Sequence, residues 1–272
     1  MKLKIGEHFF SWEHPLVMGI LNLTPDSFYD GGSHNNTDDV LRHCEKMLTE
    51  GADIIDIGAF SSRPGSKIIS VEEENSRLLP YLIEIRKRFP EAIISIDTFR
   101  KDVAKNAIEN GADIINDISG GLFDNEMLPF IGETHTPYIM MHCGGSIESL
   151  HTNLIEENSC EIVKAFFERQ TKFLSRYGEQ QIMLDPGIGF NKSMKSNYEL
   201  LNNIDKYRID NLPVLIGISR KSMIYKTLKT TSKEALNGTT VLNTIALMKG
   251  ADILRVHDVK EAVEAVKLVE EL

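Results

Sequence analysis

The sequence predicts an α/β protein built as a single-domain (β/α)8 barrel over residues 1–272. Three observations lead there. Eight short aliphatic, β-branched runs recur along the chain. Segments with helical period separate them. One string that ends a helix and opens a strand appears three times.

The eight runs span residues 16–23, 53–58, 92–98, 113–119, 137–143, 181–187, 213–219 and 253–258. Most are nearly continuous in Val, Ile, Leu and Met, the pattern of parallel strands buried on both faces. Between the first two, residues 38–50 place Val40, Leu41, Met47 and Leu48 on one helical face, with Thr37 expected as the N-cap. A helix starting near Arg100 aligns Val103, Ala104, Ala107 and Ile108, and the last helix aligns Val259, Ala262, Val263, Val266 and Val269. The repeated string is Gly-Ala-Asp-Ile-Ile at 51–55 and 111–115 and Gly-Ala-Asp-Ile-Leu at 250–254. In each, a glycine closes a helix in a left-handed turn and a buried strand follows. An open doubly wound sheet also alternates strand and helix. Eight strands close naturally into a barrel, however, and no Gly-x-Gly-x-x-Gly turn follows the first. The length of 272 residues suits a TIM-type barrel, for which about 250 is typical.

Composition narrows the function. Hydrophobic content of 42% and charged content of 26% belong to an ordered globular chain. A net charge of -10 argues against nucleic-acid or anionic-membrane surfaces, which need a basic face. Glu7, His8, Glu13 and His14 interrupt the first twenty residues, so no signal peptide is expected, and no run approaches a membrane span. Cys44, Cys143 and Cys160 have neither metal-ligand spacing nor a paired framework, which fits a reducing cytoplasm.

The chemistry lies at the strand ends. Asn22, Asp56, Asp97, Asn116–Asp117, His142, Asp185, Ser219–Arg220–Lys221 and Arg255 with His257 close strands one to eight in turn. Such residues are costly to bury unless paired, and a barrel brings them all to its C-terminal rim. Asp97, Asn116 and Asp185 supply the acceptors and amide that grip a ring edge bearing N–H donors, and Lys221 supplies a donor on the opposite side. Arg63, Arg255 and His257 put positive charge into an acidic protein, which points to a phosphorylated substrate. An ion pair with a neighbouring aspartate competes with that role for each arginine, and for Arg220 it is the expected reading. Two loops rich in Gly, Ser, Asn and Pro, 24–36 and 59–70, follow strands one and two and carry Phe28, Tyr29 and Phe60. Loops of this length on a compact barrel are usually functional.

Seven stretches then form a recognisable series. Met18-Gly-Ile-Leu-Asn-Leu-Thr-Pro-Asp-Ser-Phe28 with Asp30-Gly-Gly, and Asp56-Ile-Gly with Ser61-Ser-Arg-Pro-Gly65, open it. Ser95-Ile-Asp-Thr98, Asn116-Asp-Ile-Ser-Gly-Gly121, Leu184-Asp-Pro-Gly-Ile-Gly-Phe190, Gly217-Ile-Ser-Arg-Lys-Ser222 and Leu254-Arg-Val-His-Asp258 follow in order. Together they resemble the signatures of the dihydropteroate synthase family, from about residue 16 to the end of the chain.

The resemblance implies a transferase of folate biosynthesis. It would join 6-hydroxymethyl-7,8-dihydropterin diphosphate to 4-aminobenzoate with Mg2+ on the diphosphate, as a homodimer and a sulfonamide target. Carried onto this chain, Asp97, Asn116, Asp185 and Lys221 would hold the pterin. Asn22, Arg63, Arg255 and His257 would hold the diphosphate, with Asn22 also reaching the metal. Ser62, Pro64, Phe190, Ser219 and Lys221 would line the 4-aminobenzoate site, covered by Phe28. Asp97, Lys221, Arg63, Arg255 and His257 would carry the catalysis. The chain departs from the family's Gly-Gly-Glu-Ser-Thr-Arg-Pro-Gly second loop at Ala59, Phe60 and Ser62. A methyltetrahydrofolate-binding methyltransferase barrel would share the Asp97/Asn116/Asp185 grip, but has no reason to keep Arg63, Lys221, Arg255 and His257.

Overall fold

The computed structural model describes residues 2–5, 8–11, 14–23, 34–60, 68–150, 152 and 154–272. An antiparallel hairpin of β1 (Lys2–Ile5) and β2 (His8–Ser11) comes first; it was not anticipated from the sequence. Eight parallel strands follow, one within each expected run. They are β3 (Leu16–Asn22), β4 (Ile54–Gly58), β5 (Ile93–Asp97), β6 (Ile114–Asp117), β7 (Tyr138–Met141), β8 (Ile182–Asp185), β9 (Leu215–Ile216) and β10 (Ile253–Val256). Their order is β8-β7-β6-β5-β4-β3-β10-β9, and a parallel bridge between Leu184 and Val214 joins the two ends into a ring.

Helices connect the strands. They are α1 (His34–Thr49), α2 (Val71–Arg88), α3 (Lys101–Glu109), α4 (Met127–Thr134), α5 (Ser159–Leu174), α6 (Met194–Asn202), α7 (Ile204–Tyr207), α8 (Ser222–Leu228), α9 (Leu236–Met248) and α10 (Val259–Val269). Helix α1 begins at His34, so Thr37 lies inside it and is not its N-cap. Thr and Asn differ little in helix propensity, and residue type alone does not fix where winding starts.

Two concentric cores hold the barrel. Outside, Val17, Ile55, Ile57, Ile94, Ile96 and Ile115 of the strands pack against Val40, Met47, Leu78, Leu82, Val103 and Ala107 of the helices. Inside, Leu16, Met18, Ile54, Ile93, Ile114, Ile139, Met183, Leu215 and Ile253 form a plug to which every barrel strand contributes. Two residues further along a strand returns the chain to the inner face. There Ile54 gives way to Asp56, Ile93 to Ser95 and then Asp97, Ile114 to Asn116, Met183 to Asp185 and Ile253 to Arg255. The interior changes from apolar to polar one pleat above the plug, and this positions the site.

The repeated Gly-Ala-Asp string proves to be a structural device. Gly51, Gly111 and Gly250 adopt φ of 100°, 97° and 93° at their helix ends. Two residues on, each aspartate grips the neighbouring strand. Asp53 Oδ2 accepts from Val17 N at 2.8 Å, Asp113 Oδ2 from Ile94 N at 2.8 Å, and Asp252 Oδ2 from Val214 N at 2.7 Å. The backbone answers in reverse, Asp53 N to Val17 O, Asp113 N to Ile94 O and Asp252 N to Val214 O. Each bracket satisfies a strand-entry N–H that the ladder leaves over. It fixes the register of β3 with β4, β5 with β6 and β9 with β10. In the remaining pair, β7 with β8, the register sets Gln181 opposite Pro137. Proline has no N–H to satisfy, and no aspartate stands there.

Candidate active site

Arg255 organises the cavity above the plug. From β10 its Nε donates to Asp56 Oδ2 at 2.6 Å and its Nη2 to Asp97 Oδ2 at 2.8 Å. Asn116 Nδ2 donates to the same Asp56 oxygen at 3.1 Å. Side chains from β4, β5, β6 and β10 thus form one network. Asp56 is fully buried, and its Oδ1 has no hydrogen-bond partner among the described residues.

Charge is concentrated here. Burial pushes the Asp97 carboxyl up to about 7; Arg255 opposes this, while Asp56, Glu74 and Asp117 add to it. The Asp97 side chain keeps 21% of its surface open, so cavity water softens the effect. Arg255 is held above its ordinary range, because Asp56 and Asp97 outweigh the cost of burying it. Asp185 is also raised by burial, with Lys221 opposing, and its Oδ1 accepts from Gly187 N at 2.7 Å. Burial draws Lys221 down to about 8, while Asp185 and Asp97 favour its charge and Arg255 disfavours it. Lys221 Nζ donates to Ile188 O at 2.6 Å and lies 4.8 Å from the centre of the Phe190 ring.

Asn22, at the end of β3, joins through Gly58. A Cβ at residue 58 would lie 3.8 Å from Asn22 Oδ1 and 3.7 Å from Asp97 Oδ2, so the glycine keeps a gap between the two oxygens open. At the mouth, exposed His257 faces Ser219, whose Oγ accepts from His257 N at 3.1 Å and lies 3.0 Å from its Nδ1. Nine of the expected positions are therefore described: Asn22, Asp97, Asn116, Asp185, Phe190, Ser219, Lys221, Arg255 and His257. Ser62 and Arg63, with Pro64 and Phe28, lie outside the described residues.

Three strand-end residues have other work. Arg220 makes a two-pronged pair with Asp258 at 2.8 Å for each contact and donates to Ser232 O and Lys233 O, as the ion-pair reading expected. Asp117 accepts from Ser119 N, Ser119 Oγ, Gly121 N and Tyr138 Oη, which shapes the turn after β6. His142 is buried against Phe166 and bonded to Lys192, a residue the sequence reading missed. Nothing in the sequence around Lys192 marks it as buried; its partner is 50 residues away. Around the rim, Phe60 packs edge-on against Phe99, and Phe99 against Phe123, each pair with centroids 5.6 Å apart. One departure from the family loop thus enters an apolar cluster with Ile118, Met141 and Leu150.

Carboxylates and an amide lining the cavity, a lysine and an arginine among them, and the position at the strands' C-terminal ends define a barrel enzyme acting on a polar small molecule. The profile of the family described as "Pterin binding enzyme" matches residues 18–257. The dihydropteroate synthase of Escherichia coli is 42% identical, over 99% of this chain and 96% of that protein. The Yersinia pestis dihydropteroate synthase, solved as a sulfonamide drug complex, superposes with a TM-score of 0.90 at 38% identity, covering 100% of this chain and 98% of that one. The Xanthomonas albilineans enzyme, solved with 4-aminobenzoic acid, gives a TM-score of 0.89 at 30% identity, covering 99% and 97%. The chain belongs to the pterin-binding enzyme family, and within it to the dihydropteroate synthases.

Proposed function

We propose that this barrel condenses 6-hydroxymethyl-7,8-dihydropterin diphosphate with 4-aminobenzoate to give 7,8-dihydropteroate and diphosphate. The Asp56–Arg255–Asp97 arrangement beside Asn116 is the observation that carries the residue roles. A flat heterocycle with N–H donors on one edge meets acceptors from Asp97, Asn116 and Asp185, while Lys221 donates to it. As the bond from the pterin methylene to diphosphate breaks, positive charge spreads into the ring, and the Asp97 carboxylate stabilises it. Arg63, Arg255 and His257 receive the charge growing on the departing diphosphate. The aryl amine, resting on Phe190 with Ser62 and Ser219 alongside, then attacks the methylene and loses a proton. A neutral amine attacking a cation needs no strong base, so the absence of a nucleophile–histidine pair from these roles is consistent.

Asn22 would hold Mg2+ together with the diphosphate. Hard cations take oxygen ligands, and Mg2+ commonly keeps substrate phosphates and water with only one or two protein groups. Asn22 Oδ1 supplies one such oxygen, and Gly58 leaves the space beside it free of a side chain. Among the described residues no cluster of three or more His, Cys, Asp or Glu could hold a metal without the substrate. The bound ion would neutralise charge on the leaving group.

A homodimer is part of the same reading. Val241, Ile245 and Met248, spaced along α9, are 50%, 36% and 65% exposed and form an apolar stripe suited to a second copy. A cytoplasmic location agrees with the three free cysteines, and among the described residues no helix could cross a membrane. Sulfonamides should compete with 4-aminobenzoate. The deciding experiment mixes the protein with the dihydropterin diphosphate, 4-aminobenzoate and Mg2+ and measures dihydropteroate. Binding of both substrates without product would show a pterin-binding protein that does not catalyse.

A further inference from the structure

Lys192 is a buried cation that this reaction leaves without a role. It follows the Phe190 loop and is only 4% exposed. Its Nζ lies 3.0 Å from Phe190 O, 3.2 Å from His142 O and 3.0 Å from His142 Nδ1. An ammonium has three N–H donors, and here it meets three acceptors. His142 must then present a bare Nδ1 and carry its proton on Nε2.

We propose that Lys192 is a positioning residue for the 4-aminobenzoate half of the site, locking the 185–192 loop to the end of β7 and so fixing the Phe190 ring. The inference rests on the assignment of Phe190 to that half. The two segments are already in close contact. Gly187 has φ of 67°, and a Cβ there would stand 2.0 Å from His142 O. The loop is braced along its length, by Gly187 N on Asp185, by Lys221 on Ile188 O and by Gly189 N on Asn197 Oδ1 at 2.7 Å. At Phe190 itself, Lys192 Nζ supplies the hold on the backbone carbonyl. Burial draws the Lys192 ammonium down to about 7, while Asp185 and Cys143 favour its charge and Lys221 disfavours it. Burial, and then the Lys192 charge, draw His142 down to about 3, which keeps the imidazole neutral and able to accept. The lysine thus grips two loops at once, beneath a ring whose face lies under Lys221.

The test is a double-mutant cycle on Lys192→Met and Phe190→Leu, with Michaelis constants measured for both substrates. Lys192→Met should raise the 4-aminobenzoate constant about tenfold, the scale of losing a charge-assisted hydrogen bond. The pterin constant should stay near wild type. The double variant should be no worse than Phe190→Leu, because one residue acts through the other. Additive losses, or equal shifts for both substrates, overturn the proposal. A shifted constant in Phe190→Leu with none in Lys192→Met overturns it alone. No shift in Phe190→Leu overturns the reading of Phe190 and the proposal with it. Should Lys192→Met fail to fold, Lys192→Gln takes its place in the cycle. Nitrogen NMR of the wild-type protein also reads the contact directly: an unprotonated His142 Nδ1 supports it, and an Nδ1–H tautomer overturns it.

Discussion

At Asp97 burial acts on activity and stability in opposite directions. The carboxyl is raised to about 7, so the fold favours its protonated form. The stabilisation from that proton is complete below the ordinary carboxylate value of about 4 and is lost as pH rises through about 7. Asp97→Asn is permanently neutral and should melt above wild type at pH 8, with the gap closing toward pH 4. The same variant cannot stabilise a developing cation and should lose about 100- to 1,000-fold in turnover. Melting curves at the two pH values and one rate measurement check both. Unchanged turnover would remove Asp97 from the chemistry. Strand-end residues such as Asp97 were legible because polar side chains that close an apolar run are costly to bury unpaired, and a barrel brings every strand end to one rim. Their partnerships were not. Asp56 and Arg255 stand 199 residues apart, and only the closed ring brings them together.

Elements are held by contacts of a different kind, and the aspartate brackets give the clearest case. Asp113→Ala would orphan the Ile94 N–H and remove the Arg86 partner at 2.6 Å. A loss of about 1–3 kcal/mol is expected, with Michaelis constants unchanged, since the bracket lies at the strand entry, far from the rim. Denaturant titration of Asp113→Ala checks the loss, and unchanged stability would mean the bracket has no special role. Arg220→Ala should likewise lower stability, by about 1–2 kcal/mol, without moving either Michaelis constant, because its bonds reach Asp258 and the 232–233 backbone. The barrel strands and the periodic helices were readable from hydrophobic pattern. The β1–β2 hairpin was not, although Lys-Leu-Lys-Ile alternates at period two, because four residues give a weak signal. The start of α1 was misplaced for want of a decisive capping residue.

For the molecule as a whole, binding of one substrate should prepare the site for the other. In the proposed site Lys221 would link the two halves, since Asp97 and Asp185 act on its charge and the Phe190 ring lies 4.8 Å from its Nζ. Diphosphate with Mg2+ should therefore raise 4-aminobenzoate affinity, by a coupling of a few kcal/mol at most. Calorimetry that finds equal affinity with and without diphosphate would contradict this. The fold class was legible at this scale because one chain repeats one local arrangement eight times. The substrate was legible only through the order of seven short motifs. No physical rule applied to the bare sequence would have named a pterin.

The brackets also bear on how the ring divides. They fasten strands two by two, β3 to β4, β5 to β6 and β9 to β10, and the pair without one has a proline where the amide would be. The ring then divides into four quarters, each two strands and the helical segment between them, three of which are closed by a bracket. If quarters are units of structure, they should also be units of reassembly. Splitting the chain between exposed Asp210 and Asn211 keeps all four quarters whole and opens a junction that the Leu184–Val214 bridge, Tyr198 Oη on Met223 O and Lys221 Nζ on Ile188 O still span. Splitting it between Lys249 and Gly250 leaves Val214 and Asp252 on separate pieces. Co-produced pieces of the first kind should complement to an active barrel far better than pieces of the second, because the broken quarter must rebuild its bracket between strangers.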